Sequence, residues 1–98
     1  MTAHQDQAAA TDRLRRALLV FRGAQNLNLE AHRRLKGQPQ EKVDAFWAGP
    51  GRRTEANMRA AAAEVVAAFE AFSGAGLVAE AADRHAVTQA QRHLKEGA

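Results

Sequence analysis

Along the first third of the chain, apolar side chains recur every three or four positions, which is the spacing of one face of an α-helix. From about Thr11 to Lys36 this period predicts a single helix with one broad apolar face, formed by Leu14, Ala17, Leu18, Val20, Phe21, Ala24, Leu27, Ala31 and Leu35. Gly23 is its weak point, because glycine costs about 1 kcal/mol relative to alanine inside a helix. Either the helix continues through Gly23, or it breaks there and Asn26 or Asn28 caps a second piece.

Three glycine-containing breaks divide the remaining chain into three further predicted helices. "GQP" at 37–39 ends the first helix and begins a short one over about 39–48. "GPG" at 49–51 stops that helix, and Thr54 followed by Glu55 caps the next one, whose core stripe is Met58, Ala62, Val65, Phe69 and Phe72. "SGAG" at 73–76 precedes a last helix, about 77–95, with a weak stripe of Val78, Ala82, Ala86, Ala90 and Leu94.

This pattern predicts an all-α fold: a single helical domain over 1–98, built as a bundle of three to four helices with the first and third as the central pair. Residues 1–10 precede the amphipathic pattern and are a candidate disordered segment. Alanine supplies 24 of the hydrophobic residues, and only 21 are large. Such a thin core favours self-association. We therefore expect a homo-oligomer, and among oligomers a dimer is favoured.

Positive charge is concentrated in the first half of the chain. Residues 1–53 carry ten Lys or Arg against five acids, and residues 54–98 carry four against six. Arginine doublets lie opposite the apolar face of the first predicted helix, and arginine suits bidentate phosphate contacts. One functional hypothesis is therefore nucleic-acid binding through Arg15, Arg16, Arg22, Arg33 and Arg34, with Arg52 and Arg53.

The only tryptophan lies beside a turn. In "FWAGPGRR", Phe46 and Trp47 end the short helix immediately before Gly-Pro-Gly, and Arg52 and Arg53 follow. These four residues are the predicted partner-binding site. Two interpretations of Trp47 stay open: a plug in the core or in an interface, and an exposed anchor for a partner.

Several chemistries lack their residues. Cysteine is absent, and the single serine, Ser73, lies in a helix-ending turn with no nearby histidine. His85 and His93 stand about 12 Å apart along a helix, too far to share one ion. We therefore expect no catalytic residues, no metal site and no cofactor, and hence no enzymatic activity. No signal-peptide pattern and no bilayer-length apolar run occurs, so a cytoplasmic protein without membrane insertion is expected.

Trp47-Ala48-Gly49 resembles the Trp-X-Gly signature of the small helical hairpins exported by type VII secretion, which have a similar length. The resemblance covers Trp47 and Gly49 and implies a dedicated heterodimer partner and secretion. It departs from that family where "GQP" and "SGAG" interrupt the two long arms, and where the family's tyrosine-containing export signal has no counterpart.

The leading functional hypothesis is a non-enzymatic helical interaction module. It self-associates through the apolar stripes of the first and third helices and docks a macromolecular partner, an unidentified protein. Nucleic-acid binding is the alternative, and the exported hairpin is a minor one.

Overall fold

The computed structural model describes residues 2–96 and contains four α-helices there, without a β-strand. They are α1 (Ala3–Leu35), α2 (Gln40–Ala48), α3 (Pro50–Gly74) and α4 (Ala81–Glu96). The predicted all-α bundle is confirmed. Met1, Gly97 and Ala98 lie outside the described residues.

Helix α1 is longer than predicted and unbroken. It begins at Ala3, ahead of the expected start at Thr11, because Thr2 and Gln5 form a capping box that satisfies free N–H groups of the first turn. Residues 3–10, a candidate disordered segment, are therefore helical. The helix continues through Gly23, and neither Asn26 nor Asn28 starts a new one. It ends before Gly37, whose φ of 82° stops helix propagation.

The boundaries of the later helices shift at two of the predicted breaks. Helix α3 begins at Pro50 and not at Thr54, because proline fits the first helical position, where no N–H partner is needed. At the next break Gly76 adopts a φ of 81°, and α4 begins only at Ala81. Val78 consequently lies outside the helix with 84% of its surface exposed, so its predicted core position is wrong.

The core lies mainly between α1 and α3, the predicted central pair. Leu14, Leu18 and Phe21 of α1 pack against Val65 and Phe72 of α3 in one cluster. Alanine fills much of the rest, so within residues 2–96 only Phe21 and Val65 are large side chains that are completely buried. The radius of gyration, 16.2 Å, exceeds the roughly 13 Å of a compact domain of this length.

Helix α4 covers one flank of the α1–α3 pair. Ala86, Val87 and Ala90 bury its inner side, mostly against α3. Its links to α1 are a 3.3 Å hydrogen bond from Gln25 to Gln89 and a 3.9 Å ion pair between Arg22 and Asp83. The opposite flank of the pair has no covering helix within the described residues, and there Val20 and Leu27, two members of the predicted apolar face, are 63% and 62% exposed.

Candidate interaction surface

A groove runs along the seam between α1 and α3. Its central part encloses about 530 Å³ and is lined on the α1 side by Val20, Gly23 and Leu27, and on the α3 side by Ala60 and Ala61, among others. We call these five residues the groove centre. Alanine side chains on α3 keep the groove open, while Val20 and Leu27 project from α1 and remain largely exposed. The groove centre is thus an apolar depression on a surface that could receive another helix.

The groove lies on the flank away from α4. Gln25, which hydrogen-bonds to α4, and Leu27, which lines the groove, are separated by about 200° around the axis of α1 at 100° per residue. Consequently α4 packs on one side of the central pair while the groove stays free on the other.

The groove continues at both ends into charged regions. Toward the start of α1 it reaches a depression lined by Arg13, Arg16 and Glu64. In the other direction it reaches one bounded by Glu30 and Arg34. Charged side chains around an apolar centre are the usual arrangement of protein–protein interfaces, whose rims are polar.

One ion pair links the two helices at the edge of the groove. Arg13 of α1 donates from Nη2 to Oε1 of Glu64 on α3 at 2.6 Å and from Nε to Oε2 at 3.3 Å. This hydrogen bonding lowers the pKa of the Glu64 carboxyl and raises that of Arg13. Both side chains remain nearly half exposed, so water screens the pair. The pair joins α1 to α3 beside the groove.

Phe46 and Trp47 form an aromatic corner with His32. The Trp47 ring lies 4.9 Å from that of His32, tilted by 39°, and 4.9 Å from that of Phe46 in an edge-to-face arrangement. Both residues are half-buried, so Trp47 is neither a completely buried plug nor a free anchor. Phe46 lines the end of the α1–α3 groove, whereas Trp47 lines a separate depression between α1 and α2.

The predicted partner-binding residues therefore do not form one patch. Phe46 and Trp47 face different depressions, and Arg52 and Arg53 lie exposed in the first turn of α3. The residue that closes this corner is Gly51, which is buried: a Cβ built there would lie 2.5 Å from Cε3 of Trp47. The corner therefore joins α2 to α3 through close packing.

The arginines predicted to bind nucleic acid are all exposed, but they divide between the two flanks of α1. Arg15 and Arg22 line a depression that also includes Asp83 of α4. Arg16 and Arg34 border the α1–α3 groove, and Arg33 lies beside Trp47. Arg16 is also paired with Asp12 at 2.6 Å. A single continuous basic face is not formed.

Sequence reasoning did not locate the groove centre because it treated the apolar face of α1 as one surface and did not say which part of it a neighbouring helix covers. A signal was present: the apolar face of α1 spans about 180° of the helix, more than one packed partner helix covers. The surplus arc is where Val20 and Leu27 lie.

Among residues 2–96, no cluster of three or more His, Asp or Glu side chains is placed to hold a metal ion. Within the same residues, no helix combines the length and the apolar character needed to span a membrane.

In comparisons with known proteins, no family model, no curated protein and no solved structure shows a significant match to this chain.

Proposed function

We propose that this chain is a non-enzymatic helical interaction module that self-associates and docks a protein partner through the α1–α3 groove. The observation that carries the proposal is the exposure of Val20 and Leu27, at 63% and 62%, beside a groove floored by alanines. Large apolar side chains grouped around a depression are typical of sites that another protein covers. A helix is the fitting occupant, because its apolar stripe can lie along such a groove.

The thin core supports the same proposal. In the part of the chain that the structure describes, every buried large side chain except Phe21 and Val65 keeps some contact with solvent, and alanines make up much of the cluster. A helix seated on the free flank would bury more apolar surface of the central pair. Together with α1, α3 and α4 it would form a four-helix arrangement. The free energy of folding then depends in part on association.

The test is a concentration series by light scattering with paired surface variants. For the wild-type chain we expect a mass above the 10.6 kDa of one chain, rising with concentration. Val20→Gln and Leu27→Gln should weaken association without lowering the helix content, because both side chains are largely exposed in the single chain. Val78→Gln is the matched control, since Val78 is exposed outside the groove.

A single-chain mass at all concentrations would remove self-association from the proposal. Capture of partners from the native host then tests docking separately: wild-type chain should retain a specific protein that Leu27→Gln loses and Val78→Gln keeps. Retention of that protein by both variants would exclude the groove as the docking surface. A dedicated heterodimer partner found in the secreted fraction would instead favour the exported-hairpin alternative.

A further inference from the structure

On the groove side of α1, the order of the charged residues is complementary to the same order in the reverse direction, as in two antiparallel copies of the helix. At spacings of three and four residues, α1 presents an exposed line of Asp12, Arg16, Val20, Gly23, Leu27, Glu30 and Arg34. Starting at Gly23 and moving outward, each side has one apolar residue followed by two charged ones. The charges on one side are opposite in sign to those at the same distance on the other.

We propose that, in the isolated protein, the occupant of the groove is a second copy of this chain, docked antiparallel so that the two α1 helices cross at Gly23. This inference rests on the proposed self-association and specifies its geometry. About the two-fold axis, Val20 of each copy meets Leu27 of the other, and Arg16 meets Glu30. Asp12 meets Arg34 one turn further out. The resulting interface is isologous, with every contact made twice.

Charge specifies the direction of this pairing. In the antiparallel arrangement Asp12 and Arg16 of one copy join Glu30 and Arg34 of the other in a cluster with two charges of each sign. A parallel arrangement in register would place Arg16 against Arg16 and Glu30 against Glu30, which is repulsive. Within one copy, the Asp12–Arg16 ion pair at 2.6 Å already holds these two side chains on the exposed surface.

Gly23 fits the crossing point. A Cβ at this position would meet no atom within 4 Å in the single chain, so nothing in the monomer requires glycine there. Glycine nevertheless destabilises the interior of a helix by about 1 kcal/mol relative to alanine. Without a side chain at the crossing, two helices can approach more closely than the usual separation of about 8–10 Å. A close crossing therefore gives this glycine a role that the monomer does not supply.

The test uses charge reversal and its complementation, measured by sedimentation velocity. Arg16→Glu places glutamate against Glu30 at both ends of the dimer, and Glu30→Arg places arginine against Arg16. We expect each variant alone to dimerise at least about tenfold more weakly than the wild type. When the two variants are mixed in equal amounts, every contact is again of opposite sign, and a mixed dimer should form with near wild-type affinity.

Two controls separate the interface from the fold. Arg15→Glu changes the charge by the same amount on the other flank of α1 and should leave the dimer intact. Gly23→Glu replaces glycine with a better helix former and places two carboxylates at the crossing, so it should abolish the dimer while circular dichroism shows undiminished helix content.

The outcomes distinguish the inference from the proposal on which it rests. If the wild-type chain stays monomeric, both self-association and this geometry are wrong. If the wild type dimerises but the mixture of Arg16→Glu and Glu30→Arg forms no mixed dimer in preference to the separate variants, the antiparallel geometry alone is wrong. Equal loss of dimer in Arg15→Glu would likewise overturn it, because net charge and not position would then control association.

Discussion

At the scale of single residues, the corner of Phe46, Trp47 and Gly51 joins the short helix α2 to the first turn of α3. Trp47 packs against His32 with the two rings tilted and contacts Phe46 edge-on, with ring centroids 4.9 Å apart in both pairs. The absent side chain at Gly51 leaves the space that these rings occupy. Two substitutions therefore probe the same corner, one by removing a ring and one by inserting a methyl group.

Trp47→Ala should lower the free energy of unfolding by about 2 kcal/mol, roughly half the cost of removing a fully buried tryptophan. The reduction follows from the half-buried position of the ring. Urea titration followed by circular dichroism measures it. A loss of about 4 kcal/mol or more would mean that the ring is a completely buried plug, and no loss would assign it to partner binding alone.

Gly51→Ala should be destabilising by about 1–3 kcal/mol, because the new Cβ would lie 2.5 Å from Cε3 of Trp47 and 3.0 Å from the carbonyl oxygen of Phe46. Gly74→Ala is the matched control, since its Cβ would meet nothing within 4 Å near the end of the same helix. The two variants are compared by thermal unfolding. Equal melting temperatures would contradict the close packing of this corner.

The Arg13–Glu64 pair makes the free energy of unfolding slightly dependent on pH in the acid range. The hydrogen bond from Arg13 lowers the folded-state pKa of Glu64. The contribution of the pair to the free energy of unfolding is therefore complete above the ordinary glutamate pKa of about 4.3. It is lost as the pH falls through the lowered pKa. Glu64→Gln should flatten this part of the stability profile, whereas Glu70→Gln, an exposed acid on the same helix, should not. An unchanged acid limb in Glu64→Gln would show that the pair does not contribute.

At the scale of helices, α4 is held differently from α1 and α3. Its buried side chains are Ala86, Val87 and Ala90, so it contributes one buried side chain larger than alanine. Its polar links to α1 are the Gln25–Gln89 hydrogen bond and the long Arg22–Asp83 ion pair, both with exposed side chains. Because its buried area is small and its polar contacts are screened by water, we expect α4 to open locally before the rest of the bundle.

We expect amide hydrogens in the middle of α4 to exchange with solvent faster than those near Phe21 in α1 and Val65 in α3. These two residues are fully buried and mark the centre of the core. Native-state hydrogen exchange by NMR measures the difference residue by residue. Equal protection of α4 and the central pair would show that the four helices open only as one cooperative unit.

At the scale of the whole molecule, the protein is an elongated bundle of 57 × 22 × 20 Å with one flank covered by α4 and the other free. Positive charge is spread along both flanks of α1 and interrupted by Asp12, Glu30 and, from α4, Asp83. This distribution favours alternating charge contacts with a protein surface over continuous contact with a phosphate backbone.

For the nucleic-acid alternative, we expect no saturable binding of duplex DNA or RNA at 50 mM salt below about 100 µM, which is the weak limit of non-specific affinity at physiological salt. Fluorescence anisotropy with a labelled duplex is the measurement. Tight binding that falls with a log–log salt slope near −4 to −5 would instead identify about five phosphate contacts. In that case Arg15→Glu and Arg16→Glu show which flank of α1 makes them.

The helical pattern was sufficient to predict the fold class and the main packing pair. Apolar spacing in α1 and α3 predicted their mutual packing, and Gly37 and Gly76 ended helices where glycine was expected to do so. Helix starts were predicted less well. Thr54 had the features of a cap, but Pro50 could begin α3 earlier, and the side-chain cap at Thr2 extended α1 beyond its apolar pattern.

Local sequence thus determined which segments are helical, because the backbone hydrogen bonds of an α-helix and the caps at its ends join residues that are close in sequence. Only the tertiary structure decided which apolar residues are buried. Val20 and Leu18 belong to the same apolar face of α1, yet Leu18 is 5% exposed and Val20 is 63% exposed, because α3 and α4 cover only part of that face. The positions of α3 and α4 against α1 depend on contacts between segments that are distant in sequence. These positions leave the groove open beside Val20, Gly23 and Leu27.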